Sequence, residues 1–127
     1  MESAGHTAGV FTPQVLDYFA SPRCAGELPG ATASVEVTNP ACGDILQLAA
    51  RIESGRIVEA RFLARGCVTS IACGSFLAES LQGRTIVEAR AITAESIAMA
   101  LGGLPPATYH GSQLARDALA ALLARIA

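Results

Sequence analysis

The chain has 127 residues, of which 51% are hydrophobic, and a formal net charge of −2. This length and apolar content suit one compact domain whose core needs no disulfides. All nine basic residues are arginines scattered singly along the chain, so there is no basic stripe for nucleic acid and no polybasic run for a membrane surface. No apolar run is long enough to span a bilayer and the N-terminus lacks an export-signal pattern, so we expect a cytoplasmic protein.

The sequence divides into a short tail and one domain. Residues 1–10 mix small and polar residues without periodicity, which is typical of a mobile N-terminal tail, and residues 11–127 form the single predicted domain. Within this domain, Thr12-Pro13 predicts the start of a short amphipathic helix that ends near Ala20.

Alternating apolar and polar residues predict three strands. The alternation begins at Ala33, and two further strands, Ile45–Ile52 and Ile57–Ala64, flank a predicted hairpin turn at Glu53–Arg56. The pattern predicts an antiparallel sheet with one apolar face. In the third strand the residues expected to face the core are Val58, Ala60, Phe62 and Ala64.

Helices are predicted to follow the sheet. Gly66 ends the third strand, and Thr69 or Ser70 is expected to cap a helix that runs to Gly83. The fold class is therefore α+β, a three-stranded antiparallel sheet packed by about four to five helices. The remaining predicted features are short helices capped by Thr85 and Thr93, an extended Leu104-Pro105-Pro106 segment, and a C-terminal amphipathic helix capped by Ser112.

One turn carries two candidate metal ligands. In residues 39–44, Cys42 and Asp44 stand two positions apart across a glycine, whose backbone freedom favours a tight turn that displays both side chains. Cys67 lies at the predicted start of a helix, a position that suits a ligand or a sulfur nucleophile. His110 lies just before the last helix. We therefore predict a metal site formed by Cys42, Asp44, Cys67 and His110.

Two further cysteines are candidate auxiliary thiols. Cys73 lies six residues after Cys67, inside the predicted helix, where a buried structural cysteine is the expected role. Cys24 lies in a loop, where a lone cysteine is more often a bystander. We expect all four cysteines to be reduced, because a core-rich intracellular chain uses them as ligands, reactive thiols or small hydrophobes.

Several motifs follow one another in a particular order along the chain. They are Asn39-Pro-Ala-Cys-Gly-Asp44, Arg65-Gly-Cys67 leading into Ser70-Ile71-Ala72, Leu104-Pro-Pro106, and His110 before a terminal amphipathic helix. This ordered set resembles the iron–sulfur cluster assembly scaffolds of the IscU/NifU type. The resemblance covers nearly the whole chain.

The resemblance implies a function and a ligand set. It implies a scaffold, not an enzyme, that receives sulfur from a cysteine desulfurase, assembles a [2Fe-2S] cluster with iron, and passes the cluster to apo iron–sulfur acceptor proteins. The implied ligands are Cys42, Cys67 and His110, with Asp44 as a labile carboxylate. Thiolates suit iron–sulfur chemistry, and an imidazole or carboxylate ligand loosens the assembly, as a cluster donor should.

The sequence also departs from the family. Gly111 stands where the family has a third cysteine, so a Gly111→Cys change is expected to add a thiolate at the mouth of the site. The proline segment continues with Ala107-Thr108 and lacks the lysine of the region that the dedicated chaperone recognises, so that partner is not carried over to this chain. Cys73 and Cys24 replace the family's usual serine and asparagine.

Other functions are compatible with the same residues. Zn²⁺ accepts a mixed tetrahedron of sulfur, nitrogen and oxygen, so the alternative is a degenerate zinc-binding regulatory module that docks to a cysteine desulfurase. A cysteine hydrolase with Cys67 as nucleophile and His110 as base ranks lower, because such a pair alone is a weak signal. Packing roles alone for these residues would leave the ordered motifs unexplained.

Overall fold

The computed structural model describes residues 11–126. The tail predicted at residues 1–10 lies outside this range. Within it, the chain folds as the predicted α+β arrangement, with helices packed on a three-stranded sheet.

The sheet has antiparallel strands in the order β1-β2-β3, with β1 at Ala33–Thr38, β2 at Ile45–Glu53 and β3 at Arg56–Arg65. Thr38 pairs with Ile45, and Ile45 pairs with Arg65. The β1–β2 loop and the end of β3 therefore lie at the same end of the sheet, which we call the loop end. The motifs around residues 39–44 and 65–67 meet there.

A β-bulge changes the predicted orientation of β3. The register shifts between residues 51 and 52, which leaves Val58 without a partner in the ladder. Because a bulge adds one residue to a strand, the alternation is displaced and Ile57 is buried in place of Val58. Ala60 and Phe62 are buried, as predicted.

The predicted hairpin turn between β2 and β3 is confirmed. The two strands continue to Glu53 and from Arg56, so only Ser54 and Gly55 form the turn. Both have positive φ, 52° and 75°, as a two-residue hairpin turn of type I′ requires.

The described residues form five α-helices: α1 at Pro13–Ala20, α2 at Val68–Leu81, α3 at Ile86–Arg90, α4 at Ala94–Ala100 and α5 at His110–Ile126. Thr12, Thr85 and Thr93 cap α1, α3 and α4 through their side chains, as predicted. α2 packs on β3, α5 packs on β1 and β2, and α1 packs on α2. Within residues 11–126, no helix combines the length and apolar composition that crossing a bilayer requires.

The predicted start of α2 is wrong. Cys67 is its N-cap, whereas Thr69 and Ser70 are buried inside the helix. The preceding Gly66 has φ +148°, so the chain turns out of β3 and enters the helix within two residues.

The predicted start of α5 is also wrong. A 3₁₀ helix at Pro106–Thr108 replaces the end of the expected extended segment, since proline suits the first position of a helical turn. Tyr109 continues with helical dihedral angles, so α5 begins at His110. Ser112 lies inside α5, where its hydroxyl donates to the Tyr109 carbonyl.

Candidate metal centre

The four predicted ligands come from three chain segments that meet at the loop end of the sheet. Cys42 and Asp44 lie in the β1–β2 loop, Cys67 caps α2, and His110 is the first residue of α5. Ligand atoms of Cys42, Asp44 and His110 all lie within 4.8 Å of one another. Cys67 Sγ is 3.6 Å from His110 Nε2. The fold therefore groups Cys42, Asp44 and His110 and places Cys67 beside that group, against His110.

Backbone hydrogen bonds close the β1–β2 loop. The Asn39 N–H donates to the Asp44 carbonyl at 2.8 Å, and the Gly43 N–H donates to the Asn39 carbonyl at 2.7 Å. Gly43 has φ +77°, a left-handed conformation that glycine adopts without strain. The closed loop leaves Cys42 exposed and turns Asp44 into the protein.

The Cys67 thiol faces the site. Although Cys67 is the N-cap of α2, its side chain makes no capping hydrogen bond. Its sulfur lies 3.5 Å from Ser70 Oγ and 3.6 Å from His110 Nε2. Its sulfur is therefore placed beside the other candidate ligands instead of capping its own helix.

Asp44 is the most buried of the four candidate ligands, with 8% of its surface exposed. The Ser70 hydroxyl donates to Asp44 Oδ2 at 2.6 Å, and the Cys67 N–H donates to the same oxygen at 3.3 Å. Burial raises the pKa of Asp44, but hydrogen bonds from Ser70, from the Cys67 backbone and thiol and from the Cys42 thiol outweigh it and lower that pKa overall. Asp44 is therefore a carboxylate at neutral pH, the form that binds metal.

Gly66 lies directly against the carboxyl group of Asp44. A Cβ at position 66 would lie 2.5 and 2.6 Å from the two carboxylate oxygens, and the φ of +148° is one that other residues rarely adopt. Only glycine lets the end of β3 approach Asp44 this closely. The sequence pattern identified Gly66 as a strand breaker and missed this contact.

His110 faces Cys67 and Asp44 with the same ring nitrogen. Nε2 lies 3.6 Å from Cys67 Sγ and 3.6 Å from Asp44 Oδ2. In a nucleophile–histidine–carboxylate triad, the histidine contacts the nucleophile through one nitrogen and the carboxylate through the other. Convergence on one nitrogen is instead what metal ligands need, so the geometry argues against the cysteine hydrolase.

The two candidate auxiliary thiols lie away from this group. Cys73 is fully buried in α2, about 9 Å along the helix from Cys67, and burial raises the pKa of its thiol to about 12. Cys24 accepts a backbone hydrogen bond from Phe62, which is about 10 Å along β3 from Arg65 at the loop end. Their placement supports no ligand role for either, and all four cysteines are free thiols.

Position 111 differs from the expectation. Gly111 is buried in the first turn of α5, and a Cβ there would lie 2.6 Å from Thr69 Cγ2 and 3.0 Å from the Thr69 carbonyl carbon. A side chain at this position would enter the contact between α5 and α2 and would not lie at the mouth of the site. A cysteine at position 111 therefore needs space that this chain does not offer.

Ser70 is the second residue of the site that sequence reasoning missed. Its hydroxyl contacts both Asp44 and Cys67, whereas the sequence pattern marked it as a possible helix cap and as part of a family motif, not as a contact of the candidate ligands. The available signal was its spacing, because residues three apart lie on one face of a helix. That spacing places Ser70 beside Cys67.

Comparison with known proteins agrees with the fold. The chain is 39% identical over 110 residues to the iron-sulfur cluster assembly scaffold protein IscU 1 of Archaeoglobus fulgidus, covering 87% of this chain and 72% of that relative. It is 37% identical over 118 residues to the iron-sulfur cluster assembly scaffold protein IscU of Haemophilus influenzae, covering 90% of this chain and 93% of that relative. The fold is similar to the crystal structure of a nitrogen-fixing NifU-like protein (N-terminal) from Brucella abortus, with a TM-score of 0.76, 19% identity, and coverage of 94% and 96%. The NifU-like N terminal domain family matches residues 10–126, and the chain therefore belongs to that family.

Proposed function

We propose that this protein is an iron–sulfur cluster assembly scaffold, not an enzyme. The observation that carries the proposal is the convergence of two thiols, an imidazole and a carboxylate at the loop end of the sheet. The relatives from Archaeoglobus fulgidus and Haemophilus influenzae, which match over most of this chain, are both named as such scaffolds.

The proposed cargo is iron and a transient [2Fe-2S] cluster. A [2Fe-2S] cluster takes four protein ligands, and Cys42, Asp44, Cys67 and His110 supply that number without a cysteine at position 111. The two thiolates suit iron–sulfur chemistry, while the imidazole and the carboxylate bind the cluster less tenaciously. A mixed set of this kind holds a cluster and still releases it.

The exposure of the proposed ligands indicates the side from which partner proteins approach the site. Cys42 is exposed, whereas Cys67 and His110 are half-buried and Asp44 is buried. A cysteine desulfurase that supplies sulfur and an apo-protein that accepts the cluster therefore reach the site from the Cys42 side. The dedicated chaperone is not among the proposed partners, because the segment after Pro106 lacks the expected lysine.

One observation favours the alternative, a zinc-binding regulatory module that docks to a desulfurase. The ligand atoms of Cys42, Asp44 and His110 already lie within 4.8 Å of one another, which suits one tetrahedral ion. Zn²⁺ is also the ion expected at the site when no cluster is assembled. The two functions differ in whether the protein builds and transfers a cluster.

Anaerobic reconstitution with ferrous iron and sulfide tests the proposal. We expect about two iron and two sulfide ions per protein chain, together with the visible absorbance of a [2Fe-2S] centre. The reconstituted protein should also transfer its cluster to an apo-ferredoxin. The Cys42→Ala, Cys67→Ala double variant should lose the cluster, while Cys24→Ala, which removes a thiol away from the site, should retain it. Tight zinc binding with no cluster in the parent would favour the regulatory module, and full metal retention in the double variant would overturn the site itself.

A further inference from the structure

We propose that Ser70 is a positioning residue of the metal site and that it acts through Asp44. The inference rests on the proposed function, because it assumes that the site binds metal. Ser70 is 1% exposed and is not itself one of the proposed ligands. Its hydroxyl donates to Asp44 Oδ2 at 2.6 Å, a short contact typical of a hydroxyl bonded to a carboxylate.

The hydrogen bonds on Asp44 determine how its carboxylate is oriented. A carboxylate oxygen has two lone pairs, and Oδ2 accepts from both the Ser70 hydroxyl and the Cys67 N–H, at 2.6 and 3.3 Å. The same oxygen lies 3.6 Å from His110 Nε2, so these hydrogen bonds hold it on the side of the other candidate ligands. Ser70 therefore fixes the orientation of the Asp44 carboxylate in the site.

Gly66 limits the movement of the same carboxylate. The position of a Cβ on Gly66 is about equally close to both carboxylate oxygens, at 2.5 and 2.6 Å, so the flat face of the carboxyl group lies against this glycine. The carboxylate of Asp44 is thus restrained by contact with Gly66 on one face and by the hydrogen bonds from Ser70 and Cys67 along one edge. Of these restraints, the Ser70 hydroxyl is the one that a substitution removes without changing the backbone.

This arrangement fixes the position of Asp44 relative to the exposed part of the site. Cys42, two residues earlier, is exposed, whereas Asp44 is anchored to the N-terminal turn of α2. Partners that orient a ligand in this way typically change metal affinity by about 10- to 100-fold when they are removed. We expect Ser70 to act in this range.

The test measures the affinity for Zn²⁺, by competition with a chromophoric chelator, in the parent, Ser70→Ala, Asp44→Ala and the double variant. Ser75→Ala is the matched control: Ser75 is a fully buried hydroxyl on the same helix that accepts from the Arg23 N–H at 2.7 Å. We expect Ser70→Ala to weaken binding about 10- to 100-fold and Ser75→Ala to leave it unchanged. In the Asp44→Ala background, Ser70→Ala should have no further effect.

A Co²⁺ visible spectrum gives a second readout, because it reports the ligand field and not the stability of the fold. Ser70→Ala should shift this spectrum and Ser75→Ala should not. An unchanged affinity and spectrum in Ser70→Ala, or an equal loss with and without Asp44, would overturn the positioning role. If the parent itself binds no metal, the proposed function falls as well; if the parent binds metal and Ser70→Ala matches it, only the role of Ser70 falls.

Discussion

Gly111 lies against Thr69 at the point where the first turn of α5 meets the first turn of α2. A Cβ on Gly111 would stand 2.6 Å from Thr69 Cγ2, closer than van der Waals contact allows. Thr69 is fully buried, so its side chain has little room to move away. The absence of a side chain at position 111 is therefore what lets the two helices approach and bring His110 beside Cys67.

Gly111→Cys is expected to destabilise the protein and not to improve cluster assembly. Overpacking of this kind costs about 1–3 kcal/mol, and Thr69→Ala should recover part of the loss by removing the methyl group that blocks the new side chain. Urea unfolding of the parent, both single variants and the double variant measures this coupling. Gln113→Cys, at an exposed position two residues later, is the control. A stable Gly111→Cys protein that accumulates more cluster than the parent would contradict the steric argument.

Gly66→Ala is expected to weaken both the fold and metal binding, because the new methyl group meets the Asp44 carboxylate and the backbone has φ +148°. Gly55→Ala is a matched control: it also has positive φ, +75°, but nothing lies within 4 Å of its Cβ position. Both variants should lose stability through backbone strain, and only Gly66→Ala should also lose affinity for Zn²⁺. Equal metal affinity in the two variants would show that the contact with Asp44 is unimportant.

The cysteines should react with iodoacetamide at very different rates. Cys42 is exposed and should be alkylated first, whereas Cys73 is buried and the pKa of its thiol, raised by burial to about 12, keeps it protonated at pH 8. Mass spectrometry of the native and the urea-unfolded protein should show Cys73 modified only after unfolding. Bound Zn²⁺ should protect Cys42 and Cys67 and leave the reactivity of Cys24 unchanged. Rapid alkylation of Cys73 in the native protein would contradict its burial.

Asp44→Ala should lengthen the lifetime of a reconstituted cluster and slow its transfer. A carboxylate is the least tenacious iron ligand of the set, so an acceptor thiolate displaces it first, and the variant lacks that point of entry. In a zinc module the same change should weaken metal binding and lower thermal stability, because metal affinity there contributes directly to folding. Cluster lifetime and transfer rate, measured side by side in parent and variant, separate the two functions. A cluster that decays faster in the variant would contradict the transfer role of Asp44.

Local signals in the sequence predicted much of the fold. Thr85 caps α3 through contacts with Glu88, three residues away, so this capping box could be recognised from neighbouring residues alone. The bulge at Val58 could not be recognised in this way, because it depends on how β2 and β3 align. The start of α5 at His110 was missed for a different reason: the 3₁₀ turn before it removes the need for a cap at Ser112.

The site shows the same division. Cys42 and Asp44 are two residues apart, so their proximity follows from the turn. Their convergence with His110, which lies 43 residues beyond Cys67, was predicted from the residue types and agreed with the family resemblance, but no local pattern required it. Ser70 and Gly66 were missed because what matters is their contact with Asp44, and 26 residues separate Ser70 from Asp44. No local pattern encodes a contact over that distance.

The placement of the ligands on three separate segments also has a mechanical consequence. An ion bound by both Cys67 and His110 would act as a reversible cross-link between two residues that lie 43 positions apart in the chain. The hydrogen bonds from Ser70 and Cys67 to Asp44 already hold the β1–β2 loop against the first turn of α2, and a bound ion would tie the first turn of α5 to both. We expect the amide hydrogens of these first turns to exchange with solvent more slowly in the metal-loaded protein than in the metal-free protein.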